Sequence, residues 1–419
     1  MKLRVRSIED NNAQIIRVVS LGILSFQGFG IRIFENVFSG AIVLWTFLLL
    51  ILNYRSLINL NVKVILRFVF FIVFYFVFCV IKKSPPSLYL LAAWLSSLIV
   101  LSNYLHIETS FSKDLYKLTK FCVFYSLLHI PIMVLFKSNL MSTPFNMNPK
   151  TFLYLFYFNK DDGFFGLPRI QGFAWEPSCW NLLLNINVLL ALYFKKSRFQ
   201  LAAGIISVIS VMSTTGLSAL AIVLCLYSFV FGNKESKKYR FVYIILLVAL
   251  APFLYVNIQD KLSVGSGTQR LGDVNVATAI MESNPFLGAD VKELKHNKIA
   301  IRAKEETWGD TYGDFDGYMN EGITNAVAGM FIEWGLVLST LFLFFLFKNP
   351  LFPDKRLRFV FAIVLLVVLF GTPIFNTGFV FISILSYYLM PTDFLEKRKR
   401  YLKYLKIKNN ENIYNNRYI

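Results

Sequence analysis

Residues 64–81 read VILRFVFFIVFYFVFCVI, an apolar run in which Arg67 is the one charged side chain. A bilayer core about 30 Å thick needs about 20 apolar residues per helix, because every backbone N–H and C=O must be satisfied within the segment. The run meets that demand, and it is not alone. Working outward from it, similar runs predict helices over 15–33 and 36–54 on the N-terminal side, and over 88–105, 118–136, 178–194, 199–213, 216–232, 239–258, 325–347, 358–376 and 377–390 on the other. The expected fold class is an all-α polytopic integral membrane protein with about twelve transmembrane helices. Residues 1–390 form a single transmembrane domain with two long external loops, 137–177 and 259–324, that contain short helices; residues 391–419 form a basic cytoplasmic tail.

Composition agrees, with 56% hydrophobic and 16% charged residues among 419. The net charge of +18 could suggest nucleic acid, so the position of the 43 Lys and Arg residues decides. They fall between the apolar runs. With the N-terminus inside, the inner segments carry Arg4, Arg6 and Arg17, then Arg55, Lys63 and Arg67, Lys113 to Lys120, Lys195 to Arg198, Lys234 to Arg240, Lys348 to Arg358 and the tail from Lys397. The two longest loops lie outside and hold a minority, as the positive-inside rule requires. The basic charge therefore explains topology, and no nucleic-acid partner is expected. The partner it implies is the lipid bilayer. The tail sequence DFLEKRKRYLKYLKIK (393–408) suits either a helix on an anionic inner leaflet or a signal retaining orientation. The first apolar run follows a basic start without a small-residue cleavage site, so it is expected to remain as the first spanning helix.

Cys79, Cys122, Cys179 and Cys225 lack C-x-x-C spacing and read as small buried hydrophobes. His106, His129 and His296 show no ligand spacing, so no protein-bound metal is expected. No P-loop or dinucleotide fingerprint appears, and no cofactor is expected.

Chemistry should reside in the two long loops. The first ends in Arg169-Ile-Gln-Gly172-Phe-Ala-Trp-Glu176-Pro177, setting a cation and a carboxylate at one mouth of the sixth helix. Pro177 suits the first helical turn, and Glu176 would feel the positive end of the helix dipole. The alternative is that Arg169 pairs at the surface with Asp161 or Asp162. Asn181 and Asn185 lie one turn apart on that helix; they either pack helices or line a polar cavity. The second loop contains Arg270 ahead of a short helix expected over Val274 to Met281, closed by Asn284-Pro285-Phe286-Leu287-Gly288. Beyond lie Glu305, Glu306, Asp310, Asp314, Asp316 and Glu321. The tenth helix starts near Thr324-Asn325 and places Glu333, of Glu-Trp-Gly335, about 12 Å inside; it either pairs with a neighbouring helix or lines a cavity.

The order of four motifs resembles the bacterial O-antigen polymerase and O-antigen ligase superfamily over roughly residues 160–340. They are Arg169-x-x-Gly172-Phe-x-x-Glu176-Pro177, Ser213-Thr-Thr-Gly216, the Arg270-led helix ending in Asn284-Pro-Phe-Leu-Gly288, and Glu333-x-Gly335. The resemblance implies an all-helical membrane glycosyltransferase acting on glycans carried by undecaprenyl pyrophosphate at the outer face of the bacterial inner membrane, with both termini cytoplasmic. Arg169 and Arg270 match the family's external-loop arginines, implying bidentate binding of pyrophosphate and stabilisation of the leaving group without a metal. Ligases usually carry His-Asn where this chain has Thr324-Asn325. The acceptor's base would then be a carboxylate, Glu176 or Glu321, or catalysis would rest mostly on leaving-group stabilisation, and the reading tilts toward a polymerase, with a chain-length regulator as an optional partner. The alternatives are an O-antigen ligase and a flippase or exporter of lipid-linked oligosaccharides. A flippase should carry cations within the bundle.

Overall fold

The computed structural model describes residues 2–30, 38–105, 109–143, 148–163, 166–231, 266–308 and 323–390, with isolated positions at 248, 396 and 400. It is mostly helical. In chain order the helices are α1 (Lys2–Phe29), α2 (Phe38–Ile58), α3 (Val62–Lys82), α4 (Leu88–Ser102), α5 (Phe111–Leu135), α6 (Pro177–Tyr193), α7 (Arg198–Ser210) and α8 (Thr214–Val230). They continue with α9 (Ser266–Ser283), α10 (Lys298–Trp308), α11 (Ala326–Lys348), α12 (Lys355–Gly371) and α13 (Gly378–Leu389). Each expected helix has a counterpart except the ninth, 239–258, which lies outside the described residues, as do Glu321 and almost all of the tail. α1 begins well before residue 15, and α12 stops at Gly371 rather than at 376.

Among the described residues, α3, α5 and α11 are long and apolar enough to cross a membrane; α4, α6, α7, α8 and α13 are apolar but shorter. α3 shows why hydrocarbon is the fitting solvent. Val64, Phe68, Tyr75, Phe78 and Cys79 are buried against the bundle. Leu66, Phe70, Val73, Val77 and Val80, at alternating spacings of four and three, form an equally apolar stripe that remains exposed. A continuous face of that kind is stable where the surroundings are apolar too.

α6 is the centre of the bundle, packing on α5, α7, α8 and α12. Every residue from Pro177 to Leu192 is buried, so its apolar residues can surround the helix without a polar stripe. Its amides are covered by neighbours: Asn181 Nδ2 donates to Val208 O at 3.2 Å, and Asn185 Nδ2 donates to Asn181 O at 2.9 Å and Gly216 O at 3.0 Å. Gly216 has to be glycine, because a Cβ there would overlap the Asn181 amide.

The first long loop corrects an expectation. In place of short α-helices, its described residues carry a 3-10 turn (Lys137–Asn139) and a four-stranded antiparallel sheet, β1 (Met141–Ser142), β2 (Lys150–Phe152), β3 (Phe156–Asp162) and β4 (Pro168–Ile170), in sequential order. β2 and β3 pair Phe152 with Phe156, and the turn between them holds Leu153 and Tyr154 at φ of 55° each. Those residues lack the Asn-Gly signature of such turns, which hid the hairpin in the sequence. The sheet is anchored by aromatics: Phe158 is fully buried against His129, and Phe156 and Phe173 stack on Tyr125 of α5.

α11 is broken. Gly335 takes φ 68°, ψ 177°, which interrupts the helix two residues after Glu333. The backbone groups released by the break are taken up by the Asn284–Gly288 turn: Leu336 N–H donates to Pro285 O, and Ala289 N–H donates to Ile332 O, both at 2.7 Å. The Lys82 ammonium donates to Glu333 O. Two motifs that look separate in the sequence are halves of one joint. Gly288 (φ 66°) and Gly335 both adopt left-handed backbone, and a Cβ on Gly335 would lie 2.7 Å from the Pro285 and Phe286 carbonyl oxygens.

Candidate functional site

The N-terminal end of α6 gathers the site. Glu176 is its N-cap residue and Pro177 its first helical residue, so the backbone donor absent from proline is one the first turn would leave unpaired anyway. Glu176 Oε2 accepts from Ser178 Oγ at 2.8 Å, and Ser178 Oγ accepts from Thr372 Oγ1 at 2.9 Å. Directly before Thr372, the Gly371 carbonyl accepts from Arg270 Nη2 at 2.7 Å. Burial lowers the Arg270 guanidinium from its ordinary value, and the Glu176 and Asp273 carboxylates oppose that shift. Arg270, Gly371, Thr372, Ser178 and Glu176 thus form a chain of polar contacts joining α9, the end of α12 and the start of α6. Arg270 sits inside α9 and not ahead of it, because the helix extends from Ser266 to Ser283 and not only over 274–281.

Arg169 enters from β4, half-buried. Its stem packs on Gly163, where a Cβ would lie 2.7 Å from Arg169 Cγ and at 2.5 Å from Met212 Sδ. Met212 precedes the Ser213-Thr-Thr-Gly216 corner that starts α8. Thr215 of that corner lies against Gly371, at 2.6 Å from the position of an added Cβ. The two loop arginines therefore flank the Ser-Thr-Thr-Gly corner, Arg169 on the Met212 side through Gly163 and Arg270 on the Thr215 side through Gly371. The side chains of Asp161 and Asp162 lie outside the described ones. Gly172, at φ 63°, lets the Arg169 strand turn toward α6; a Cβ there would overlap the Trp180 ring.

Asp273 belongs to the site and was missed in the sequence. It is fully buried one turn after Arg270, and its Oδ2 accepts from Thr324 N–H (2.8 Å), Thr324 Oγ1 (2.8 Å) and Asn325 N–H (2.9 Å). Burial raises its pKa, while those bonds and the buried Lys304 act against the rise. Its Oδ1 has no hydrogen-bond partner among the described residues. An acidic residue three positions from an arginine on one helical face was the available signal. Asn325 caps α11, its Oδ1 accepting from Val327 N–H and Ala328 N–H.

Of the cavity-lining candidates, Asn181 and Asn185 are engaged in helix packing at the core. Asn325 joins the arginine site through Asp273. Glu333 stands apart, beside the break in α11, where its Oε2 accepts from Asn376 Nδ2 at 3.1 Å. Glu321 lies outside the described residues. Among the described residues no group of three His, Cys, Asp or Glu side chains is placed to hold a metal ion. No family model matches this chain, and neither a curated protein nor a solved structure is found to be similar to it.

Proposed function

We propose that the chain is a glycan polymerase of the bacterial cytoplasmic membrane, spanning it about twelve times with both termini inside. Its substrates are oligosaccharide repeats on undecaprenyl pyrophosphate, and it works on the outer face of that membrane. The observation that carries this reading is the chain of polar contacts from Arg270 to Glu176 at the head of α6, with Arg169 on the other side of the Ser213–Gly216 corner.

In the proposed reaction a hydroxyl oxygen of the acceptor sugar attacks the anomeric carbon of the growing glycan. The bond from that carbon to the carrier's pyrophosphate breaks, and its electron pair leaves with the pyrophosphate. Arg169 and Arg270 meet the charge that develops there, in a half-buried setting where such pairing is stronger than in water. The hydroxyl proton passes to Glu176, held in orientation by Ser178 and Thr372. Thr324 takes no proton in this scheme, since its own hydroxyl hydrogen is directed to Asp273.

Purified protein given an undecaprenyl-pyrophosphate-linked repeat should lengthen it without ATP. Arg169→Ala and Arg270→Ala should each stop elongation while the protein still inserts and elutes as wild type. Normal chain growth in both variants overturns the site. In a strain lacking the gene, single repeats on the lipid A core fit a polymerase; loss of all attached glycan would assign the chain to ligation or flipping instead.

A further inference from the structure

A polar cavity, of about 480 Å³, opens at the far end of α9, walled by the end of α3, the Asn284–Gly288 turn and the segment leading into α10. Its chemistry is donor-rich. Lys82, Lys83 and His296 line it together with Asn284, Asn297 and Asp290. Asp290 accepts from Ser84 Oγ, and Lys82 is held by the Glu333 carbonyl at the α11 break, so these two fix one another's surroundings. Lys83 is exposed, at the αL cap of α3, where its backbone N–H closes the helix and its side chain is left to the cavity rim. Asn297 uses Oδ1 to cap α10 (Ile299 N–H at 3.0 Å, Ala300 N–H at 3.3 Å), which leaves amide N–H groups as what it offers a ligand. Ammonium, imidazole and amide donors around one opening match a ligand of many acceptor oxygens, and a phosphate is that ligand.

We infer that this cavity holds the phosphate head of a second lipid-linked glycan, the acceptor, while the Arg169–Arg270 corner holds the donor. The inference rests on the polymerase reading, since a polymerase must hold two carrier-linked chains at once. α9 sets the spacing. Arg270 and Asn284 are fourteen residues apart along one helical path, about 20 Å at 1.5 Å per residue. Two anionic heads can therefore sit on one face without meeting, while the acceptor's glycan extends to the donor's anomeric carbon beside Arg169 and Arg270.

The test counts undecaprenyl pyrophosphate bound by the full-length protein in detergent micelles, by native mass spectrometry and calorimetry. Wild type should bind two, Arg270→Ala one, Lys83→Glu with His296→Ala one, and the combination none; Lys83→Arg should keep two. Affinity at the second site should fall at least about tenfold on charge reversal at Lys83. One lipid bound by wild type, lost in Arg270→Ala and kept in the Lys83→Glu variant, overturns this inference and leaves the polymerase reading standing. No lipid bound by wild type overturns the polymerase reading itself. If inorganic pyrophosphate empties the Lys83 site as readily as the lipid does, the cavity serves free phosphate and the acceptor assignment falls.

Discussion

Arg270 and Glu176 stand at the two ends of one chain of polar contacts. Arg270 already gives one N–H to Gly371, and the planar fork leaves further donors aligned for a phosphate. A lysine carries the charge but cannot serve the carbonyl and a phosphate in the same plane. Arg270→Lys should therefore lower elongation by about 10²–10³-fold, the range for losing a preorganised donor, with lipid binding weakened far less; equal losses in both would reduce Arg270 to a simple binding charge. Asp273 offers a pH test. Its folded-state pKa is raised, so the folded protein binds its proton more tightly than the unfolded chain does. The resulting stability is present below the ordinary carboxylate pKa of about 4 and is lost as pH rises through the higher folded value. The melting temperature of wild type relative to Asp273→Asn should fall between pH 4 and pH 7, and a difference that stays level would refute the burial argument.

The joint between the Asn284–Gly288 turn and α11 is where two elements depend on each other. Alanine at Gly335 meets two carbonyl oxygens as well as an unfavourable φ, and alanine at Gly288 meets the Ile332 carbonyl. Each substitution should destabilise by about 2–4 kcal/mol, combining backbone strain with overpacking, and should be read as loss of the folded monomer on thermal challenge in detergent. A different tie holds α1 to α5. Asp114, 1% exposed, accepts from Arg17 Nε at 2.7 Å, Gln14 Nε2 at 2.9 Å and Tyr104 OH at 3.3 Å. Removing the carboxylate strands Arg17 against the bundle, so Asp114→Ala should cost about 3–5 kcal/mol. Asp114→Ala combined with Arg17→Leu should recover much of it, because neither charge is then left alone.

For the molecule as a whole, the exposed stripe of α3 is the feature that ties fold to environment. Val73 sits near the middle of that helix, and 53% of its surface is exposed. If hydrocarbon covers it, Val73→Lys should raise the apparent cost of inserting this helix by about 2.5–3.5 kcal/mol, measured by glycosylation mapping of an insertion reporter. A negligible change would mean that water meets the stripe. The bundle's inner organisation has the opposite logic: α6 is covered by protein on all sides, and its asparagines find partners in α7 and α8.

Much of this could be read from the residues in line. Apolar run lengths anticipated the apolar helices among the described residues, since backbone satisfaction in an apolar medium depends on local length and composition, whereas the polar α10 was not anticipated. Pro177 and Glu176 marked the start of α6, and Asn325 the start of α11, because capping is a matter of neighbours along the chain. The β-sheet of the first loop escaped, because Leu153-Tyr154 makes its turn without the usual residues and the strands gain stability from Tyr125 and His129 on a distant helix. Asp273 escaped as well; its spacing from Arg270 was the only local signal, and what marks it out is Thr324 brought against it. The break in α11, the chain of polar contacts from Arg270 to Glu176, and the placing of Arg169 and Arg270 on two sides of the Ser213–Gly216 corner all depend on contacts between residues far apart in sequence. Local preference fixes what a segment can be, but which segments press together follows from packing every buried face and pairing every buried polar group at once.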